Sequence, residues 1–142
     1  NVRTVMFVVD PAMVDYSYNP PSEEIEAWLK TKSKTETYSI DGTLSTLKRV
    51  LETSGRKAKD IDFTFVITKS DMGYLEACGY TKDATPLQLE AFMCDDLGLG
   101  NVVTSAKGLF HSVNFYAVTV EETSKNQLTS LFIDTLKRMG VN

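Results

Sequence analysis

Three short runs of β-branched and aromatic residues constrain most strongly what this chain can fold into. They are Val2-Arg3-Thr4-Val5-Met6-Phe7-Val8-Val9-Asp10, Ile61-Asp62-Phe63-Thr64-Phe65-Val66-Ile67 and Val113-Asn114-Phe115-Tyr116-Ala117-Val118-Thr119-Val120. The first, closed by Pro11, is nearly continuous in apolar character. That is the pattern of a strand buried on both faces, as in parallel sheets. The stretches between the runs carry helical periodicity. Strands alternating with helices predict an α/β domain, with a parallel sheet covered by helices on both faces and right-handed connections.

The helices have recognisable ends. Ser22-Glu23-Glu24 offers an N-cap and an acidic first turn for a helix through Ile25, Trp28 and Leu29. Residues Thr31 to Ile40 lack periodicity and read as loop. Asp41 and Gly42 lead into a second helix with Leu44, Leu47, Val50 and Leu51 on one face, ending at Gly55. Thr85-Pro86-Leu87-Gln88 has capping-box spacing with Pro at the first helical position. The helix it starts should turn Leu89, Phe92, Met93 and Leu97 inward and stop at Gly98. Val102, Val103, Ala106, Leu109 and Phe110 suit a further short helix. In the last helix Leu128, Leu131, Phe132, Leu136 and Met139 form the expected inner stripe, and Lys137 and Arg138 lie in the final turn.

Composition narrows the function classes. The 142 residues carry 15 Lys+Arg against 19 Asp+Glu, a net charge of -4, so non-specific nucleic-acid binding is not expected. No apolar run approaches the roughly 20 residues of a membrane span, and no signal-peptide pattern opens the chain. We therefore expect a cytoplasmic protein without membrane insertion. Two cysteines, Cys78 and Cys94, are too few for a disulfide framework or a zinc site. The single histidine, His111, argues against a His-based metal site or a Ser-His-Asp or Cys-His arrangement. Asp95-Asp96 reads as a solvated helix end. One core is expected at this length, with the whole of 1–142 as one domain. Asn rather than Met at position 1 suggests a piece of a longer protein.

Ligands of open parallel sheets bind outside the carboxyl ends of the strands. The residues expected there are Asp10-Pro11, Thr68 to Asp71, and Thr119 to Glu122. The middle set, Thr68-Lys69-Ser70-Asp71, follows a buried strand directly and resembles the N/T-K-x-D guanine-recognition motif of Ras-like P-loop GTPases. The order of strands and helices is similar to the second half of a GTPase domain over nearly the whole chain. The resemblance implies that Asp71 accepts two hydrogen bonds from the N1 and N2 donors of guanine. It also implies that Lys69 lays its stem across base and ribose, and that Thr68 ties the loop to the phosphate loop. A carboxylate matched to two donors is a strong directional contact. It also discriminates against adenine, which lacks that donor pair.

A second family motif, loosely S-A-x after the last strand, should offer a backbone N–H to guanine O6. Thr104-Ser105-Ala106-Lys107 matches by letters but lies in a stretch of helical spacing. Thr119, with Val120 supplying the amide, is the favoured position, and Ser105-Ala106 the other candidate. This layout is similar to bacterial double-GTPase-type proteins, although Thr119-Val120-Glu121-Glu122 departs from their usual S-A-L-G. The chain has no G-x-x-x-x-G-K-[ST] phosphate loop and no D-x-x-G after a strand. Asp10 accordingly reads as a strand-terminating residue, not a Walker-B aspartate. Phosphoryl transfer needs a phosphate cradle, a metal and a positioned water, so this chain alone is not expected to catalyse it.

The reading is therefore of a base-recognising C-terminal half of a GTPase-like domain. GTP or GDP with Mg²⁺ would be held only by a parent protein, and no catalytic or metal residue is assigned. Its expected partners are an N-terminal half of that parent and a second copy pairing through the Val2–Asp10 edge strand. Two rivals stand beside it: a nucleotide-independent scaffold or interaction module that keeps the GTPase shape, and an unrelated doubly wound domain in which the tetrad is accidental.

Overall fold

The computed structural model describes residues 3–11, 23, 40–68, 73–81, 83–118 and 125–140, with side chains omitted at 40, 41 and 125–129. Its strands are β1 (Thr4–Val9), β2 (Asp62–Ile67) and β3 (Ser112–Ala117), in spatial order β1-β2-β3 and parallel throughout. Register aligns Val9 with Ile67 and Ile67 with Ala117, so the three strands end level with one another. The helices are α1 (Ile40–Thr53), α2 (Tyr74–Ala77), α3 (Pro86–Ala91), α4 (Gly100–Leu109) and α5 (Lys125–Arg138). Among the described residues no helix is long and apolar enough to cross a membrane. The helix expected from Ser22 through Leu29 and the loop Thr31–Ser39 lie outside the described residues, Glu23 apart.

Alternation along each strand sends side chains to opposite faces. Phe63, Phe65 and Ile67 join Phe7, Val9 and Phe115 in one large cluster, packed with Leu44 and Leu51 of α1, Leu89 of α3, and Val102, Val103 and Ala106 of α4. Both crossover helices, α1 and α4, thus sit on one face, where two right-handed connections through neighbouring parallel strands place them. Val66 points the other way and meets Val118 and Leu131 of α5, with Tyr116 packed alongside. Helices therefore cover both faces.

Local sequence explains the helix ends. Gly55 has φ +73°, and its N–H reaches Glu52 O at 3.1 Å while Arg56 N–H reaches Leu51 O at 3.0 Å. This paired bonding closes α1 as a Schellman motif at a residue without a Cβ penalty. The capping box at Thr85 forms with both bonds in place: Gln88 N to Thr85 Oγ1 at 3.3 Å and Thr85 N to Gln88 Oε1 at 2.9 Å. After α3 the chain widens into a π-turn over Phe92–Asp96, with Leu97 N–H donating to Phe92 O at 3.0 Å. In an α-helix residues five apart point about 140° away from each other. The wider turn brings Phe92 and Leu97 closer in direction, and both are buried, as are Leu89 and Met93.

Several expectations need correction. β1 is not buried on both faces: Met6 and Val8 are exposed, because α5 packs over β2 and β3 and not over β1. Val50 is exposed, since it lies about 240° around the helix from Leu44. Ile40 begins α1 instead of ending a loop, and Gly42 lies within that helix. The inner face of α5 is Leu131 and Thr135, whereas Phe132 and Leu136 are exposed. The Tyr116 hydroxyl donates to Asp134 Oδ2 at 2.6 Å and accepts from Arg138 Nη2 at 3.1 Å. Those two bonds turn the helix so that its Asp134–Arg138 side faces β3 and its Phe132–Leu136 side faces away.

Candidate functional site

The carboxyl end of the sheet is assembled by strand register. Val9, Ile67 and Ala117 end level, so Asp10, Thr68 and Val118 follow on side by side. Thr68 N–H donates to Val9 O at 2.9 Å, and Val118 N–H donates to Ile67 O at 2.8 Å, extending the ladder one step beyond the strands. The Thr68 hydroxyl makes a longer contact with the same Val9 carbonyl at 3.4 Å. Thr68 therefore ties the end of β2 to the end of β1.

Lys69, Ser70 and Asp71, which follow Thr68 in sequence, and Thr119 and Val120, which follow Val118, lie outside the described residues. The alternative second motif is placed. Ser105 and Ala106 lie inside α4, with Ser105 exposed and Ala106 fully buried against the large cluster. The Phe110 N–H donates to Ala106 O at 3.0 Å, so the Ala106 carbonyl is engaged in ending the helix. This end of α4 leads into Ser112, which pairs with Asp62 at the amino end of β2. Ser105-Ala106 is thus helical, and the chain runs from it to the amino end of the strands.

One cluster was missed by the sequence reading. Asp96, expected to be solvated, is half-buried beside the Tyr80 hydroxyl and the Cys78 thiol. Burial pushes the Cys78 thiol up to about 11, helped by the charge of Asp96. Burial likewise raises Tyr80 and Asp96, the latter opposed by its contacts with Tyr80 and Cys78. A thiol held protonated is a weaker nucleophile than its thiolate. The residues are distant in sequence and are joined by packing of the Tyr80 ring against Phe92, edge to face at 5.9 Å. Cys94 is raised too, first by burial and then by Glu90. His111 is exposed, and its backbone N–H donates to Ile61 O at 2.9 Å.

Among the described residues no group of three or more His, Cys, Asp or Glu side chains is placed to hold a metal ion. Fold and register define an α/β domain with a three-stranded parallel sheet whose level carboxyl ends converge on Asp10, Thr68 and Val118. Comparison with protein families, with curated proteins and with solved structures finds no match to this chain.

Proposed function

We propose that the chain recognises the base of a guanine nucleotide, with Asp71 as the specificity residue, Lys69 over the base and Thr119-Val120 completing the contact. The observation that supports this reading is the position of Thr68, the first residue of the tetrad. Thr68 follows the carboxyl end of β2, the central strand, with the ends of β1 and β3 level on either side. Crevices at such strand ends are where open parallel sheets bind ligands. The strand order, with both crossover helices on one face and α5 on the other, also accords with the second half of a GTPase-like domain.

A nucleotide lends much of its affinity through charged hydrogen bonds to its phosphates, at about 1.5 to 3 kcal/mol each. Without a phosphate loop, GDP should bind this chain more weakly than roughly 0.1 mM. Ligand-observed NMR with GDP and ADP tests the reading. GDP should bind measurably better than ADP, and Asp71→Ala should bring it down to the ADP level. Equal binding of the two nucleotides, or an unchanged preference in Asp71→Ala, would sink it. Micromolar GDP affinity would instead overturn the claim that the phosphate-binding half is missing.

One observation favours the interaction-module alternative. Met6 and Val8 on β1 and Phe132 and Leu136 on α5 are large apolar side chains left exposed, and apolar exposure is one mark of a partner surface. If that reading holds, Asp71→Ala leaves every binding property of the chain unchanged. Changes at Phe132 and Leu136 would then alter association.

A further inference from the structure

At the amino end of the sheet, opposite the nucleotide reading, cationic side chains from three separate segments line one cavity of about 570 Å³. Arg3 precedes β1, Arg56 and Lys57 follow the Gly55 turn that ends α1, and Arg138 closes α5. Among the described residues, Asp60 and Asp62 are the carboxylates of the lining. Four cations against two carboxylates is a local reversal of sign in a chain whose net charge is -4.

Two of the cations, Arg3 and Arg138, are positioned by neutral groups. Arg3 donates through Nη1 to the Met139 carbonyl at 3.3 Å. Arg138 donates through Nη2 to the Tyr116 hydroxyl at 3.1 Å and stacks over its ring at 5.7 Å. Each bond uses one of five guanidinium N–H donors, so both groups are oriented while most of their donors stay uncommitted to these contacts. Asp62 is engaged by the Ser112 hydroxyl at 2.5 Å. Capping the carbonyl end of α5 accounts for the Arg3 bond. It does not account for Lys57 lining the same cavity.

We propose that this cavity binds a small, multiply charged oxyanion of the di- or triphosphate type. Guanidinium forks suit such oxygens. Among the described residues the lining offers little apolar wall for a base or an acyl chain, since Ile61 is the one large apolar residue there and is itself buried.

Amide-resolved NMR titration of the whole 142-residue chain with inorganic pyrophosphate at low salt tests the assignment. Saturable shifts should appear at Arg3, Gly55, Lys57 and Ile61 and weaken as salt screens the charges. Arg3→Gln and Arg138→Gln should each weaken binding about tenfold, with Arg138→Lys intermediate because the charge stays and the fork is lost. Lys137→Gln, next to Arg138 in sequence but outside the lining of the cavity, should leave the affinity unchanged. Absence of saturable shifts overturns the proposal, and so does a Lys137→Gln loss as large as that of Arg138→Gln. If Arg138→Gln fails to fold, Lys57→Gln decides, because the Lys57 side chain has no partner among the described residues.

Discussion

On one face of the sheet Phe63 lies 4.9 Å from Phe65 and 4.4 Å from Phe110 by ring centroids, and Phe65 lies 5.5 Å from Phe115, under α1, α3 and α4. On the other face the buried apolar cluster among the described residues is Val66, Val118 and Leu131, with Tyr116 at its side. The first face is an aromatic core in which Phe63 and Phe65 each pack against three other rings. The second is a small contact patch, with an exposed strand at one side and a polar bridge, Tyr116–Asp134–Arg138, at the other. The contrast indicates where the stability resides. Burial stabilises in proportion to the apolar area removed from water, and among the described residues the larger share of it lies on the crossover face.

That contrast can be broken most directly at Phe63, which is fully buried. Phe63→Ala should cost about 3 to 5 kcal/mol, because the cavity it leaves is bounded by rings that cannot collapse into it. Leu131→Ala on the weaker face should cost about 2 kcal/mol, the low end of its class, since α5 can settle toward the sheet. Chemical denaturation of the two variants checks both numbers, and equal losses would mean the faces are equally tight. Thr64→Val sharpens the point differently. Thr64 is fully buried on the α5 side of β2, and its hydroxyl has no hydrogen-bond partner among the described residues. Replacing it with an apolar group of similar shape should stabilise the fold by about 1 kcal/mol.

Phe132→Ser should change stability by no more than about 0.5 kcal/mol, although Phe132 adjoins Leu131 in sequence and is the larger side chain. A loss matching Leu131→Ala would show that the outer flank of α5 is packed. The smallest effect concerns pH. The folded thiol of Cys78 titrates at about 11, above its ordinary value of 9.0. The folded state therefore holds a proton that the unfolded state has released as pH rises between those values, and stability falls across that window. Cys78→Ser should flatten this fall in a denaturation series, and iodoacetamide should label Cys78 more slowly in the native protein than in denaturant.

The local features were legible because neighbours in sequence decide them. The Thr85 capping box, the positive-φ stops at Gly55 and Gly98, and the inward set Leu89, Phe92, Met93 and Leu97 all follow from chemistry within one or two turns. The three strands follow from apolar runs, and their parallel sense from the helical stretches between them. Sequence also put Thr68 at a strand end, as the structure has it; the rest of the guanine-recognition reading, Lys69, Asp71, Thr119 and Val120, lies outside the described residues.

What sequence left undecided are matters of which face meets which. The apolar stripe of α5 is wide enough to turn either Leu131 or Phe132 toward the sheet, and only the bonds from Tyr116 to Asp134 and Arg138 select one. β1 has the composition of a strand covered on both sides, yet its coverage depends on where α5 lies, which no residue of β1 encodes. The cationic cavity is the extreme case. Arg3, Arg56, Lys57 and Arg138 span almost the length of the chain, and nothing near any of them in sequence points to the others. Parallel register brings them together by placing the start of β1, the end of α1 and the end of α5 at the same end of one sheet.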